Sequence, residues 1–213
     1  MAKAPRRWRG RIADADDARA AGTGRIDASG RSRGLSRSNR DDEATLWPTA
    51  PTETASGRLR RLIIRTDGAA RGNPGPASAG AALIDASRPD ARDPRARPDA
   101  SISEFLGVQT NNVAEYTAVV RALALARELG AREVDLLLDS KLIVEQLAGR
   151  WRVKDAKLIP LWETARRTLR SFERWSATHV PRAQNSVADA LCNEAIDRVA
   201  AGGPPIVVVR PSD

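Results

Sequence analysis

The chain has 213 residues, enough for one domain of ordinary size with a real core, or for one domain and a tail. Its 35 Lys and Arg outnumber 27 Asp and Glu, leaving a net charge of +8 and a sequence pI near 10.8. That balance points to a polyanionic partner, and no amphipathic basic helix or apolar run approaches a membrane span, so nucleic acid is expected and a membrane is not.

Residues 1–57 are dominated by Arg, Ala, Asp, Gly, Ser, Thr and Pro without sustained apolar periodicity, and read as a disordered tail. Eleven Lys or Arg against eight Asp or Glu make it weakly basic. Such a tail could add electrostatic affinity for nucleic acid or be no more than a solvated extension. The opening residues carry positive charge but no following apolar region, so they do not read as a secretory signal, and a cytoplasmic location is expected. A single cysteine, Cys192, fits a reducing compartment and reads as a small buried residue of a helix.

A domain is expected over 58–202. Residues 59–66 (LRRLIIRT) predict a strand that ends in Asp67-Gly68, and 77–85 (ASAGAALID) a second one, reached through the turn-rich RGNPGP. Residues 86–100, with three prolines and alternating charges, predict a long exposed loop before a third strand at 101–106. Val113, Tyr116, Val120 and Leu123 place an apolar stripe on a helix over 112–129, stopped by Gly130. The apolar run 134–138 predicts a buried strand that delivers Asp139 at its end. Helices are expected at 140–148 and 156–172, then a strand at 175–180, a helix at 186–200 and a C-terminal tail over 203–213. The order β-β-β-α-β-α-α-β-α is that of an α/β fold with a mixed sheet.

Four carboxylates stand out by position. Asp67 and Asp139 each close a predicted strand, while Glu115 and Asp189 each fall in the first turn of a predicted helix, where an α/β sheet gathers functional groups. Asn112-Val-Ala-Glu115 and Ser186-Val-Ala-Asp189 also match capping-box spacing, Asp67 also reads as a turn residue, and Asp139 also reads as a cap. Converging carboxylates repel unless cations sit between them, and an all-oxygen set suits small, hard Mg²⁺.

The strings TDGAARGNPGP (66–76), TNNVAEY (110–116), LLLDSKLIVEQLAGRWRVK (136–154) and VPRAQNSVADALCNEA (180–195) resemble, in order, the ribonuclease H type 1 family, and more closely its archaeal-like branch. The resemblance implies a ribonuclease H-like fold with a five-stranded mixed sheet and flanking helices. It implies an endoribonuclease, expected as a monomer, that hydrolyses the RNA strand of RNA/DNA hybrids to 5′-phosphate and 3′-hydroxyl ends. Asp67, Glu115, Asp139 and Asp189 would be its catalytic, metal-binding residues, with Gly68 beside them, holding two Mg²⁺ ions for which Mn²⁺ can substitute.

The resemblance further implies substrate contacts. Gly68 and the RGNPG turn with Asn73 would let backbone approach the substrate. Asn111 and Asn112 resemble an amide pair that faces the hybrid minor groove, where 2′-hydroxyls distinguish RNA from DNA. Ser140 and Lys141 follow the third carboxylate, and Lys141 equally suits a plain phosphate contact. Residues 150–182 hold nine Lys or Arg against three Asp or Glu, a basic surface for the DNA strand. Within it, Trp162 and Trp175 read as core, and Trp151 reads equally as core edge or substrate contact.

One departure concerns proton handling. Many family members carry a histidine in a mobile loop before the last carboxylate. Here that loop is the short stretch 181–186, and the only histidine, His179, falls in the preceding strand, where a structural role competes with proton transfer. Arg182, Gln184 or Asn185 are left to support the chemistry.

Overall fold

The computed structural model describes residues 61–211, so the tail expected over 1–57 lies outside the described residues. Strand β1 (Arg61–Ala70) is buried continuously from Leu62 to Gly68, as its flanking strands and two covered faces require. It runs antiparallel to β2 (Gly75–Asp85), which pairs antiparallel with β3 (Ala100–Gln109). After helix α1 (Asn111–Glu128), β4 (Glu133–Leu138) lies parallel to β1 on its other side. Helices α2 (Lys141–Leu147) and α3 (Ile159–Leu169) lead to β5 (Arg174–His179), parallel to β4. Helix α4 (Ser186–Ala200) follows, and β6 (Ile206–Val209) closes the described chain.

The sheet has six strands, in the order β5-β4-β1-β2-β3-β6, where five were expected. The sixth comes from the segment expected as a tail over 203–213: Ile206 to Val209 pair antiparallel with Ser101 to Glu104. Arg198 pins the approach to it, donating to the Pro204 carbonyl at 2.8 Å and the Ser103 carbonyl at 2.7 Å. The folded unit therefore runs past residue 202.

Alternation along the strands separates two packed faces. Leu62 and Ile64 of β1, Ala81 and Leu83 of β2, and Leu136 and Leu138 of β4 form the larger core with α1, α2 and α3. Trp162 and Trp175 pack against this core, as expected, whereas Trp151 is 47% exposed. Alternate residues on the opposite face meet α4, where the Ser78 and Ser103 hydroxyls each donate at 2.8 Å to the carbonyls of Cys192 and Leu191. Cys192 is buried and free, with its thiol pushed up by that burial, which leaves it an inert core residue.

The loop after β2 is not simply exposed. Ala91 and Ala96 are buried in a second, smaller core with Ile63, Ile84, Leu137 and Val180. Arg88 braces the loop, pairing with Asp90 at 2.7 Å and Asp99 at 2.8 Å. Charge and proline disguise the segment as solvent-facing, but its alanines cover the sheet where α4 does not.

Candidate active site

Asp67 lies within β1 rather than at its end, because the strand continues to Ala70 and pairs there with β2. Its carboxylate accepts from the Gly68 amide at 2.8 Å. Asp139 follows the last residue of β4, parallel and adjacent to β1, which sets the two acids side by side at one end of the sheet. Glu115 reaches the same place from α1, and Asp189 from α4.

Both capping-box readings fail on register. The cap of α1 is Thr110, whose hydroxyl accepts from the Val113 amide at 3.4 Å, so Glu115 stands beyond the first turn. The cap of α4 is Asn185, with no side-chain bond to the helix start, so Asp189 is not three residues past a capping serine. Instead Asp189 accepts from the Arg182 guanidinium at 2.6 Å and from the Asn193 amide at 3.1 Å. Glu115 accepts from the Asn111 amide at 2.7 Å.

Two glycines set how closely the helices approach. A methyl group on Gly68 would stand 2.1 Å from the Glu115 amide nitrogen, so its bare backbone admits α1. This differs from the expectation that Gly68 opens space for substrate, since the space is filled by the protein itself. Gly80, opposite Asp67 on β2, does the same for α4, where a methyl group would lie 2.4 Å from the Ala188 carbonyl.

The acids line or flank an open cleft of about 480 Å³, bordered by Asp67, Glu115, Asp139, Ser140, Arg182 and Asn193. Burial pushes the Asp67 carboxyl up to about 7, with Asp139 and then Asp189 adding to the effect and the Gly68 amide opposing it. Burial also raises Glu115, against the Ser140 hydroxyl. Negative charge is thus in excess at this end of the sheet. The Arg182 guanidinium, held protonated chiefly by its bond to Asp189, supplies part of the counter-charge.

Among the described residues, no three His, Cys, Asp or Glu side chains stand close enough together to hold a metal ion. Asp189 is engaged by Arg182 and Asn193, and Glu115 by Asn111. The donor chemistry still fits a hard divalent cation, being all oxygen and carrying a carboxyl that burial and its neighbours keep from ionising freely.

The expected substrate contacts divide. Asn73, Asn112, Lys141 and Trp151 are exposed, Ser140 is half-buried at the cleft, and Asn73 accepts from the Asn111 amide nitrogen at 3.3 Å. Arg182 is exposed at the cleft. Asn185 is fully buried, which removes it from any substrate surface. Its side-chain amide donates to the Thr66 carbonyl at 2.9 Å and to Asp139 Oδ1 at 3.1 Å, tying β1 to the third acid. Gln184 is exposed, and its backbone carbonyl accepts from Arg65. His179 is exposed, with Nε2 3.1 Å from the Asp139 carbonyl. Sequence reasoning missed Asn193 and Gly80. Asn193 had a signal in its position four residues after Asp189 on one helix, whereas Gly80 had none because its neighbour is distant in sequence.

The family model described as Reverse transcriptase-like matches residues 65–195. Ribonuclease HI of Halobacterium salinarum is 43% identical over 164 residues, covering 73% of this chain and 76% of that protein. A bifunctional protein of Mycobacterium tuberculosis is 41% identical over 140 residues, covering 66% of this chain, and the match spans only 36% of that longer protein. Among solved structures, LC11-RNase H1 in complex with an RNA/DNA hybrid superposes with a TM-score of 0.58 at 36% identity, covering 65% of this chain and 99% of that one.

Proposed function

Because the chain belongs to the ribonuclease H type 1 family, we propose that it is a metal-dependent endoribonuclease that hydrolyses the RNA strand of RNA/DNA hybrids. The observation that carries this reading is that Asp67 of β1, Glu115 of α1 and Asp139 just after β4 line one open cleft, with Asp189 of α4 beside it, paired with the cleft residue Arg182. The hybrid-bound neighbour supports the choice of substrate.

The four carboxylates would hold two Mg²⁺ ions, or Mn²⁺ in their place. Bound there, such ions would supply activation of a water and charge stabilisation at the leaving oxygen, chemistry that would leave 5′-phosphate and 3′-hydroxyl ends. Asn185 holds Asp139, and Asn111 holds Glu115, so each acid reaches the cleft already oriented. Ser140 stands beside Glu115 at the cleft, and Lys141 begins the helix after Asp139, where an exposed ammonium suits a phosphate. Asn112 and Asn73 present exposed amides near the start of α1 for minor-groove hydroxyls. Trp151, flanked by Arg150 and Arg152, offers an exposed ring on the basic segment facing the DNA strand.

No helix among the described residues is long and apolar enough to cross a membrane. A cytoplasmic monomer is the proposed setting. The test is cleavage of a labelled hybrid in Mg²⁺ or Mn²⁺ by the intact chain and by Asp139→Asn. Loss of turnover in the variant is expected, and undiminished cleavage would overturn the assignment of the quartet.

A further inference from the structure

The proposed function leaves a buried arginine in the central strand without a part. Arg65 stands two residues before Asp67 and is 2% exposed. Strand alternation turns it to the face that carries α4 and the loop over 86–99. Its Nη1 donates to the Gln184 carbonyl at 2.5 Å and its Nη2 to the Arg92 carbonyl at 2.8 Å. Its Nε is buried without a partner among the described residues. A guanidinium is costly to bury, and an aliphatic side chain would fill the same strand position, so its two long-range bonds are the gain to be explained.

Both acceptors belong to segments outside the regular helices and strands. Gln184 closes the 3-10 turn Arg182–Gln184, and Arg92 lies in the loop over 86–99. The turn is tight, with the Gln184 and Asn185 amides each donating at 2.8 Å to the carbonyls of Pro181 and Arg182. It carries Arg182, which meets Asp189, and runs directly into Asn185, which meets Asp139. The Ser186 hydroxyl, at the start of α4 directly after the turn, donates to the Pro94 carbonyl of the same loop at 3.3 Å.

We infer that Arg65 is a positioning residue, a clamp that fixes the 181–185 turn and the 86–99 loop to the central strand so that Arg182 and Asn185 are presented to Asp189 and Asp139. This rests on the ribonuclease reading of the same site. The turn is thus held from beneath by a side chain whose hydrogen bonds go to backbone carbonyls and to none of the four carboxylates.

The test compares the intact chain with Arg65→Met, which keeps bulk and removes every donor, and Arg65→Lys, which keeps one. In hybrid cleavage, kcat of Arg65→Met falls roughly 10- to 100-fold, because a displaced group far from the chemistry costs about that much. KM for the hybrid stays within about twofold, since the substrate-facing groups are elsewhere, and Arg65→Lys lies between the two proteins. Amide exchange of Gln184 and Asn185 accelerates at least about tenfold in Arg65→Met, while Leu136 to Leu138 in β4 keep their protection.

Unchanged kcat with unchanged exchange would overturn the clamp, and so would equal acceleration in β4, which would mark a general loss of stability. Should Arg65→Met fail to fold, Arg65→Lys carries the same readouts. A Gln184 amide as unprotected in the unaltered chain as in a free peptide would also overturn it. Absence of cleavage by the unaltered chain would refute the ribonuclease reading, and the exchange measurements would still judge the clamp.

Discussion

Replacing Asp67 by Asn should remove activity and, without metal, stabilise the fold. Asp67 is 6% exposed, and its carboxyl is raised from 3.8 to about 7. A folded-state value above the unfolded one means that the stability from this group is full below about pH 4 and is lost as pH rises toward 7. At about 1.4 kcal/mol for each tenfold change in proton affinity, the gap between 3.8 and about 7 sets a ceiling of about 4 kcal/mol. An asparagine keeps the shape and an oxygen for the Gly68 amide, but never ionises. Urea unfolding in a chelator from pH 4 to 8.5 should give nearly coincident stabilities at the acid end and a growing advantage for Asp67→Asn above pH 6. Added Mg²⁺ should erase that advantage, because the ion binds only the folded protein and prefers the carboxylate. A stability difference that does not vary with pH would contradict the raising of Asp67 by its burial and, secondarily, by Asp139 and Asp189.

Further consequences follow from packing and hydrogen bonding. Gly80→Ala puts a methyl group 2.4 Å from the Ala188 carbonyl, so α4 must shift. Thermal unfolding should register a loss of about 1–3 kcal/mol or more, accompanied by weaker hybrid cleavage as Asp189 moves. Asn185→Ala leaves the Thr66 carbonyl and Asp139 without their shared donor, at a cost of about 1–3 kcal/mol, and should raise the Mg²⁺ concentration needed for half-maximal cleavage. Ending the chain after Gly203 removes β6 and bares the edge of β3 from Ser101 to Glu104, so sedimentation should reveal association and calorimetry a lower Tm. Removing residues 1–57 should reduce the salt dependence of hybrid affinity, and an unchanged slope would mean the segment makes no phosphate contacts.

Much of this was legible because local pattern and tertiary role agree. The apolar runs at β1 and β4 announce buried strands, and the acids beside them fall where those strands need them. Glu115 and Asp189 carried a competing cap reading that sequence spacing alone could not remove, because it disappears only when the helices start at Asn111 and Ser186. β6 was hidden because four apolar residues after a Gly-Gly-Pro-Pro run have no periodicity, and their partner lies about a hundred positions earlier. Residues 86–99 form the expected loop, but the burial of Ala91 and Ala96 in the small core was hidden because charges outnumber them there. Arg65, Gly80 and the inward turn of Asn185 are set by neighbours distant in sequence, which no local pattern encodes.

Hybrid-specific, metal-dependent cleavage is decided by offering the intact chain two duplexes of one sequence, an RNA/DNA hybrid with the RNA labelled and an all-DNA duplex, with and without Mg²⁺. Internal cuts in the RNA strand alone are expected, only with the divalent ion, leaving 5′-phosphate and 3′-hydroxyl ends. Cutting that persists in chelator, or cutting of the all-DNA duplex at a comparable rate, would contradict it.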